Sequence, residues 1–475
     1  KNLFRKDVVK LLKPSLIKKL EGNQKLNYYG MFKHNLLISF RSFLRYKSAF
    51  LINLIGLSSG LACALLIYFW INDEMQVDKF HKLDKQLYQV MLHHEESGRL
   101  NTQEDTQGIL ALALEAEVPE IEIGVQSTPS FWFGKMPLTI GNKTIKADGK
   151  FVGKRYLEIF SFPLIAGDLS TVLDTKESIA ISESLALSLF NTTEGVIGQT
   201  LNWQLIDNSK DIQITGIFED VPSNSTENFD FVLSFDIFSE IVGDGMHWGN
   251  YNALTYVVVT SGTDIDLLNT KLAGFVKGKT EYSNVTPFLR SYSDKYLYGN
   301  YDNGVQSGGR IEYVSLFGII SIFILLIACI NFMNLSTAKA SRKTKEVGLK
   351  KAIGASRRAL IFQYLEESFL MTFISILVAL GLVVLFLPQF NIITDKEIIL
   401  QLDQQLILSL LSILIITGLV AGSYPALYLS SFNPAVVLKG KMKSAIGELW
   451  ARKGLVIFQF SLSIILIVSV LVIYK

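Results

Sequence analysis

Apolar residues gather along this chain in five long blocks, at 48–71, 313–334, 368–390, 406–429 and 454–474. None contains Asp, Glu, Lys or Arg. A helix that crosses a hydrocarbon core of about 30 Å needs roughly 20 such residues, so each block is predicted to span a membrane. Between the first two blocks the pattern changes to alternation with a period of two, broken by turn residues. There it predicts strands at 178–182, 211–218, 231–234 and 255–260, and a helix at 183–190 directly after the first of them. The expected architecture is therefore an α-helical transmembrane protein with a large inserted domain of mixed α/β (α+β) fold.

Charge at the block ends orients the spans, because cytoplasmic flanks collect Lys and Arg. Lys33, Arg41, Arg45 and Lys47 precede the first span, whereas Asp73, Glu74 and Asp78 follow it. The loop after the third span holds Asp395, Lys396, Glu397 and Asp403, and that after the fourth holds Lys439, Lys441, Lys443, Arg452 and Lys453. All of these fit one alternating topology that puts 72–310 outside. With 49% hydrophobic and 19% charged residues, the composition suits a membrane protein carrying a polar domain. A net charge of +2 gives no reason to expect a nucleic-acid partner. Both cysteines, Cys63 and Cys329, fall in spans, so the inserted domain must be held by packing without a disulfide.

A domain of this size could be an enzyme, yet no constellation in it is persuasive. His93 and His94 would diverge by about 100° on a helix, no third ligand lies nearby, and solvated surface positions are expected. Ser182 and Ser184 lack the G-x-S-x-G turn that exposes a nucleophile. Residues 273–280, AGFVKGKT, resemble a phosphate-binding loop, but Ala273 stands where the first glycine is needed. Of Phe131, Trp132 and Phe133, a faint hint of an apolar cradle, at least two are expected in the core. Neither catalysis nor a metal site is expected in this chain.

The most informative stretch is the basic segment between the second and third spans. Lys339, Arg342, Lys343, Lys345, Lys350, Lys351, Arg357 and Arg358 are too many cations for hydrocarbon, where each costs about 2.5 to 3.5 kcal/mol. Val347, Leu349, Ala352 and Ile353 are expected to form a narrow apolar stripe beside the cationic face. Gly354 can end one helix in a left-handed conformation and Ser356 can cap the next, which carries Leu360, Ile361, Tyr364 and Leu365. A basic loop is often only an orientation signal. A cornered hairpin with interspersed Glu346, Glu366 and Glu367 is better explained by a protein partner. In the first span, Gly56 and Gly60 form a G-x-x-x-G that would let a neighbouring helix approach closely, although a helix merely rich in small residues reads the same way.

The run NFMNLSTAKASRKTKEVGLKKAIGASRRALIFQYLEES resembles the signature of the MacB/FtsX-like permeases of ABC transporters, in their Bacteroidetes-type form. NLIGLSSGLACALLI, DEMQVDKFHKLDKQLYQV, FSFPLIAGDLSTVL, SIAISESLALSLF, GLVAGSYPALYLSSFNPAVVLKG and RKGLVIFQFSLSIILI agree with it, and the likeness runs over 33–474. The resemblance implies a permease subunit with a MacB-like periplasmic core domain, in the inner (cytoplasmic) membrane. It implies ATP and magnesium on a separate cytoplasmic ATPase, no cofactor in this chain, and a second permease half or another copy beside it. Family members are implied to touch the ATPase through the hairpin, which here transfers to Arg342, Lys345, Glu346, Val347, Gly348, Lys351, Ile353, Gly354, Ala355 and Arg358. Lys350 stands where arginine is frequent, so the charge remains but the planar donor fork is lost.

The expected division is a prefix tail at 1–30, lead-in and first span at 31–71, periplasmic core at 72–310, and second span at 311–338. The coupling hairpin follows at 339–367, then the third and fourth spans at 368–429, a cytoplasmic linker at 430–453 and a fifth span at 454–475. Lacking an initial Met and stopping inside an apolar block, the chain is expected to be a piece of a longer protein. The resemblance implies ATP-driven efflux or export of antimicrobial or other envelope substrates, with a periplasmic adaptor or envelope enzyme and membrane lipid as further partners. Two other readings stay open: a non-transporting FtsX-like sensory or regulatory scaffold, and extraction of lipoprotein or lipid.

Overall fold

Ser178–Ser182 shows how the inserted domain is built from its sequence. SIAIS makes a wholly buried strand, and the Ser182 hydroxyl then accepts the Leu185 N–H, capping the helix Glu183–Phe190. Asn191, in the left-handed region, ends that helix. The strands expected at 211–218 and 255–260 occur as Asn208–Phe218 and Ala253–Val259, and Phe231–Ser234 occurs as read. The computed structural model describes residues 28–280, 284–431 and 446–473. Residues 1–27 of the prefix tail expected at 1–30, and 432–445 of the linker expected at 430–453, lie outside them.

The described residues pack as two bodies, one of them formed by Ile67–Ile320 with Gln389–Ile399. Its sheet runs, in spatial order, Phe231–Ser234, Ser178–Ser182, Asn208–Phe218, Thr200–Leu205, Lys135–Ile140 and Lys143–Val152. The last of these also pairs, in parallel, with the first, so these six strands close on themselves. Inside the ring lie Met136, Phe151, Ile181, Trp203, Ile214 and Phe231, all at most 1% exposed. The sheet then extends through Ile121–Ser127, Ala253–Val259, Leu87–Glu96 and Val285–Ser291, all antiparallel. Leu110, Leu114, Leu268 and Leu272, from the helices Leu110–Glu117 and Ile265–Leu272, pack on this extension. Parallel and antiparallel pairings in one sheet make the domain mixed α/β.

The second body is helical. Lys47–Gln76, the 311–337 stretch of Ile311–Ala352, Arg357–Thr394 and Gln404–Ser430 are long and apolar enough to cross a bilayer. The block expected to form a fifth span lies in the helix Ile446–Ile473, whose described apolar part, Lys453–Ser469, is shorter. A Cβ placed on Gly60 would stand 2.6 Å from that of Ala328, and one on Gly56 would stand 2.9 Å from the Asn331 amide nitrogen. The helices carrying these residues touch where side chains are smallest.

Three expectations need correction. His93 and His94 lie on the strand Leu87–Glu96, not a helix, and both are half-buried: His93 stacks on Phe288 and hydrogen-bonds Thr102 Oγ1 at 2.9 Å. Only Phe133 of the aromatic trio packs against the core, because the short turn Ser130–Trp132 carries Phe131 (80% exposed) and Trp132 outward. Val347 is buried, whereas Leu349, Ala352 and Ile353 are exposed, so the expected apolar stripe is split between two faces.

Candidate functional site: a basic elbow and a buried ionic node

The basic hairpin is a defined corner. Ile311–Ala352 ends where Gly354 adopts φ +106°, the Gly354 N–H bonds the Lys351 carbonyl at 3.0 Å, and the Ala355 N–H bonds the Lys350 carbonyl at 2.9 Å. Those two bonds are a Schellman motif, which satisfies carbonyls that the helix end would otherwise leave open. Ser356 Oγ then accepts the Ala359 N–H at 3.2 Å, capping Arg357–Thr394. Behind the corner, Val347, Leu360 and Tyr364 pack with Ala426 and Leu429 of Gln404–Ser430. Lys351 Nζ donates to the Ser430 carbonyl at 2.6 Å. The elbow is thus held from three helices.

Its outer surface is different in kind. Leu349 and Ile353 are 55% and 78% exposed, with Gly354, Arg357 and Arg358 exposed beside them and Ala355 half-buried. Glu346 pairs with Lys350 at 2.8 Å, and Lys350 also reaches Gln363 Oε1 at 3.2 Å. Gly348 is buried beside Val347. The side chains of 338–345, including Arg342 and Lys345, lie outside the described set, although their backbone is helical. Exposed apolar residues framed by cations suit a protein interface better than a solvated loop.

The inserted domain holds a site that the sequence reading missed. Lys150, wholly buried, places Nζ 2.5 Å from Glu227 Oε2 and 3.0 Å from the Tyr156 hydroxyl. Glu227 Oε1 receives Lys295 Nζ at 3.2 Å and the Tyr256 hydroxyl at 3.5 Å. Burial alone would raise the Glu227 pKa, but the charges and hydrogen bonds of Lys150 and Lys295 outweigh it and hold the carboxyl down at about 2. Burial also pushes the hydroxyls of Tyr156, Tyr256 and Tyr292 well above their ordinary range, so they act only as neutral donors.

The node gathers both chain connections of the domain. Asp78, two residues beyond Lys47–Gln76 and at φ +59°, accepts the Thr226 N–H at 2.8 Å and the Thr226 hydroxyl at 2.5 Å. Its own N–H bonds the Asn224 carbonyl at 3.0 Å. Lys295 lies on the return path toward Ile311. One loop, 224–227, therefore ties the incoming chain, the outgoing chain and the central strand Lys143–Val152 together. Among the described residues no three His, Cys, Asp or Glu are grouped so as to hold a metal ion. The 273–280 segment follows the helix Ile265–Leu272 as turns, without the strand that precedes a phosphate-binding loop.

Comparison with known proteins matches residues 50–274 to the MacB-like periplasmic core domain and 318–434 to the FtsX-like permease C-terminal family. The macrolide export ATP-binding/permease protein MacB of Aggregatibacter actinomycetemcomitans is 24% identical over 255 residues, 50% of this chain and 35% of that one. The ABC transporter permease YknZ of Bacillus subtilis (strain 168) is 24% identical over 208 residues, 42% of this chain and 47% of that one. The matches thus span about a third to a half of the length of these curated relatives. The periplasmic region of MacB from Actinobacillus actinomycetemcomitans superposes with TM-score 0.33 at 17% identity, covering 45% of this chain and 91% of that one. The two matched families follow one another on a single polypeptide here, the inserted domain first and the helical hairpin after it, and the chain belongs to the MacB/FtsX-like permeases of ABC transporters.

Proposed function

We propose that this chain is the permease subunit through which a separate cytoplasmic ATPase moves a periplasmic domain, for export of an envelope substrate. Motion enters at the elbow, through Glu346, Val347, Gly348, Lys351, Ile353, Gly354, Ala355 and Arg358, with Arg342 and Lys345 on the preceding turns. It leaves through the inserted domain. The observation that carries this reading is the contrast within the elbow. Val347, Leu360 and Tyr364 lock it from behind, while Leu349 and Ile353 are left bare among cations. A loop that only fixed orientation would need the cations and nothing else.

The reading brings with it an inner-membrane location, ATP and magnesium bound on the ATPase, and a second permease half or copy. The named relative MacB exports macrolides, which makes an amphiphilic antimicrobial the first substrate class to try here. The test is co-purification with, and stimulation of, a partner ABC ATPase. Ile353→Glu and Glu346→Lys are expected to abolish both while membrane insertion is retained. Unchanged coupling in both variants would reduce the elbow to an orientation signal.

A further inference from the structure

The nine residues 395–403 joining Arg357–Thr394 to Gln404–Ser430 would ordinarily be a passive turn. Instead, Gln389–Ile399 packs as part of the body that contains the inserted domain. The turn is pre-formed: Asp395 has φ +52°, the Lys396 N–H bonds the Asn391 carbonyl at 3.1 Å, and the Asn391 amide donates to the Ile398 carbonyl at 3.0 Å. Lys396 is thereby aimed at Asp73 Oδ2 (2.7 Å) and Glu74 Oε1 (3.1 Å), with its side chain only 12% exposed.

Glu74, fully buried, is also gripped by Arg310, whose Nη2 lies 2.9 Å from Oε1, and by the Tyr296 hydroxyl at 3.0 Å. Arg310 and Lys396 both lie against the Tyr296 ring, 4.9 and 5.6 Å from its centre. Two carboxylates and two cations close the cluster with no net charge. It joins the end of Lys47–Gln76, the start of Ile311–Ala352 and the turn. In the same segment Ile392, Ile393 and Ile399 are 77%, 80% and 71% exposed.

We infer that segment 389–399 is a lipid-seated anchor of the inserted domain. Ile392, Ile393 and Ile399 rest in the outer leaflet of a phospholipid bilayer while Lys396 fastens Asp73 and Glu74 to that seat. The occupant is lipid because the isoleucines are continuous, on both sides, with two helices whose apolar surfaces span the hydrocarbon. Lys396 has its charge satisfied inward, which leaves the isoleucines free of the cation that would otherwise seek lipid phosphate. The anchor rests on the membrane topology, and only its mechanical meaning depends on the coupling proposed above.

The test uses the full chain with Cys63 and Cys329 changed to serine and bimane on Ile393→Cys, reconstituted in phosphatidylethanolamine and phosphatidylglycerol vesicles. Nitroxide lipid labelled near the carbonyl end of its acyl chain is expected to quench the probe, and aqueous iodide is not. Quenching by iodide instead, or cross-linking of Ile393→Cys between two copies, would overturn the lipid seat. A membrane-impermeant amine reagent is expected to label Lys396 at least about fivefold more slowly than the exposed Lys154, since it must wait for local opening. Asp73→Asn and Glu74→Gln should each speed that labelling, and equal rates for Lys396 and Lys154 in the unmodified chain would refute the fastening. None of these readings needs an ATPase, so the anchor and the coupling proposal can fail separately.

Discussion

The same two residue types, Lys and Glu, meet in both bodies with opposite consequences. In the inserted domain Lys150 and Glu227 are 2.5 Å apart with side chains 0% and 7% exposed, whereas at the elbow Lys350 and Glu346 are 2.8 Å apart with side chains 29% and 53% exposed. Contact distance barely distinguishes them. What differs is the water each has given up. The exposed pair stays hydrated and contributes little to stability, while each member of the buried pair would be left as an uncompensated charge if the other were removed. The inserted domain is therefore made rigid by interactions that fail together, and the elbow by backbone geometry and a few apolar contacts.

The largest test of this contrast is Glu227→Leu, which leaves Lys150 and Lys295 facing each other without an anion. It is expected to destabilise the inserted domain by about 3 to 5 kcal/mol in denaturant unfolding, with Lys150→Met in the same chain restoring much of the loss. Acid tests the same node without mutation. Because the Glu227 carboxyl titrates at about 2 in the folded domain and near 4.5 otherwise, its contribution is fully present above pH 4.5 and is lost as pH falls toward 2. Glu227→Gln should flatten that part of the stability profile. A slope that survives the substitution would assign it to other groups.

Smaller effects belong to the helical body. Gly60→Val must push against Ala328 and is expected to cost about 1 to 3 kcal/mol in thermal unfolding in detergent. Gly354→Ala puts a side chain on a residue at φ +106° and should cost about 1 kcal/mol locally, read by hydrogen exchange at the corner. Least of all, Glu346→Gln should change stability by about 0.5 kcal/mol or less. A large loss there would mean that the elbow is ionically held after all.

Local features were legible in the sequence because local physics writes periodic patterns. SIAIS followed by ESLALSLF carries its strand, its cap and its helix within thirteen residues, and each uncharged block states its own solvent. The corner at Gly354 and Ser356 was readable for the same reason. The buried node was not: Lys150 and Glu227 are 77 residues apart, and a lysine among Gly149, Phe151 and Val152 reads as the outward position of an alternating strand. Lys396 hides its role similarly, since its partners Asp73 and Glu74 look like topology markers when read along the chain. The trio Phe131 to Phe133 misled because hydrophobicity does not say which way a short turn will point.

The two thiols, Cys63 and Cys329, sit in the long apolar helices, and the domain between those helices is closed by strand pairing and by Glu227. Its integrity is consequently indifferent to reductants such as dithiothreitol. Acid, not loss of oxidising power, is the stress that reaches its centre.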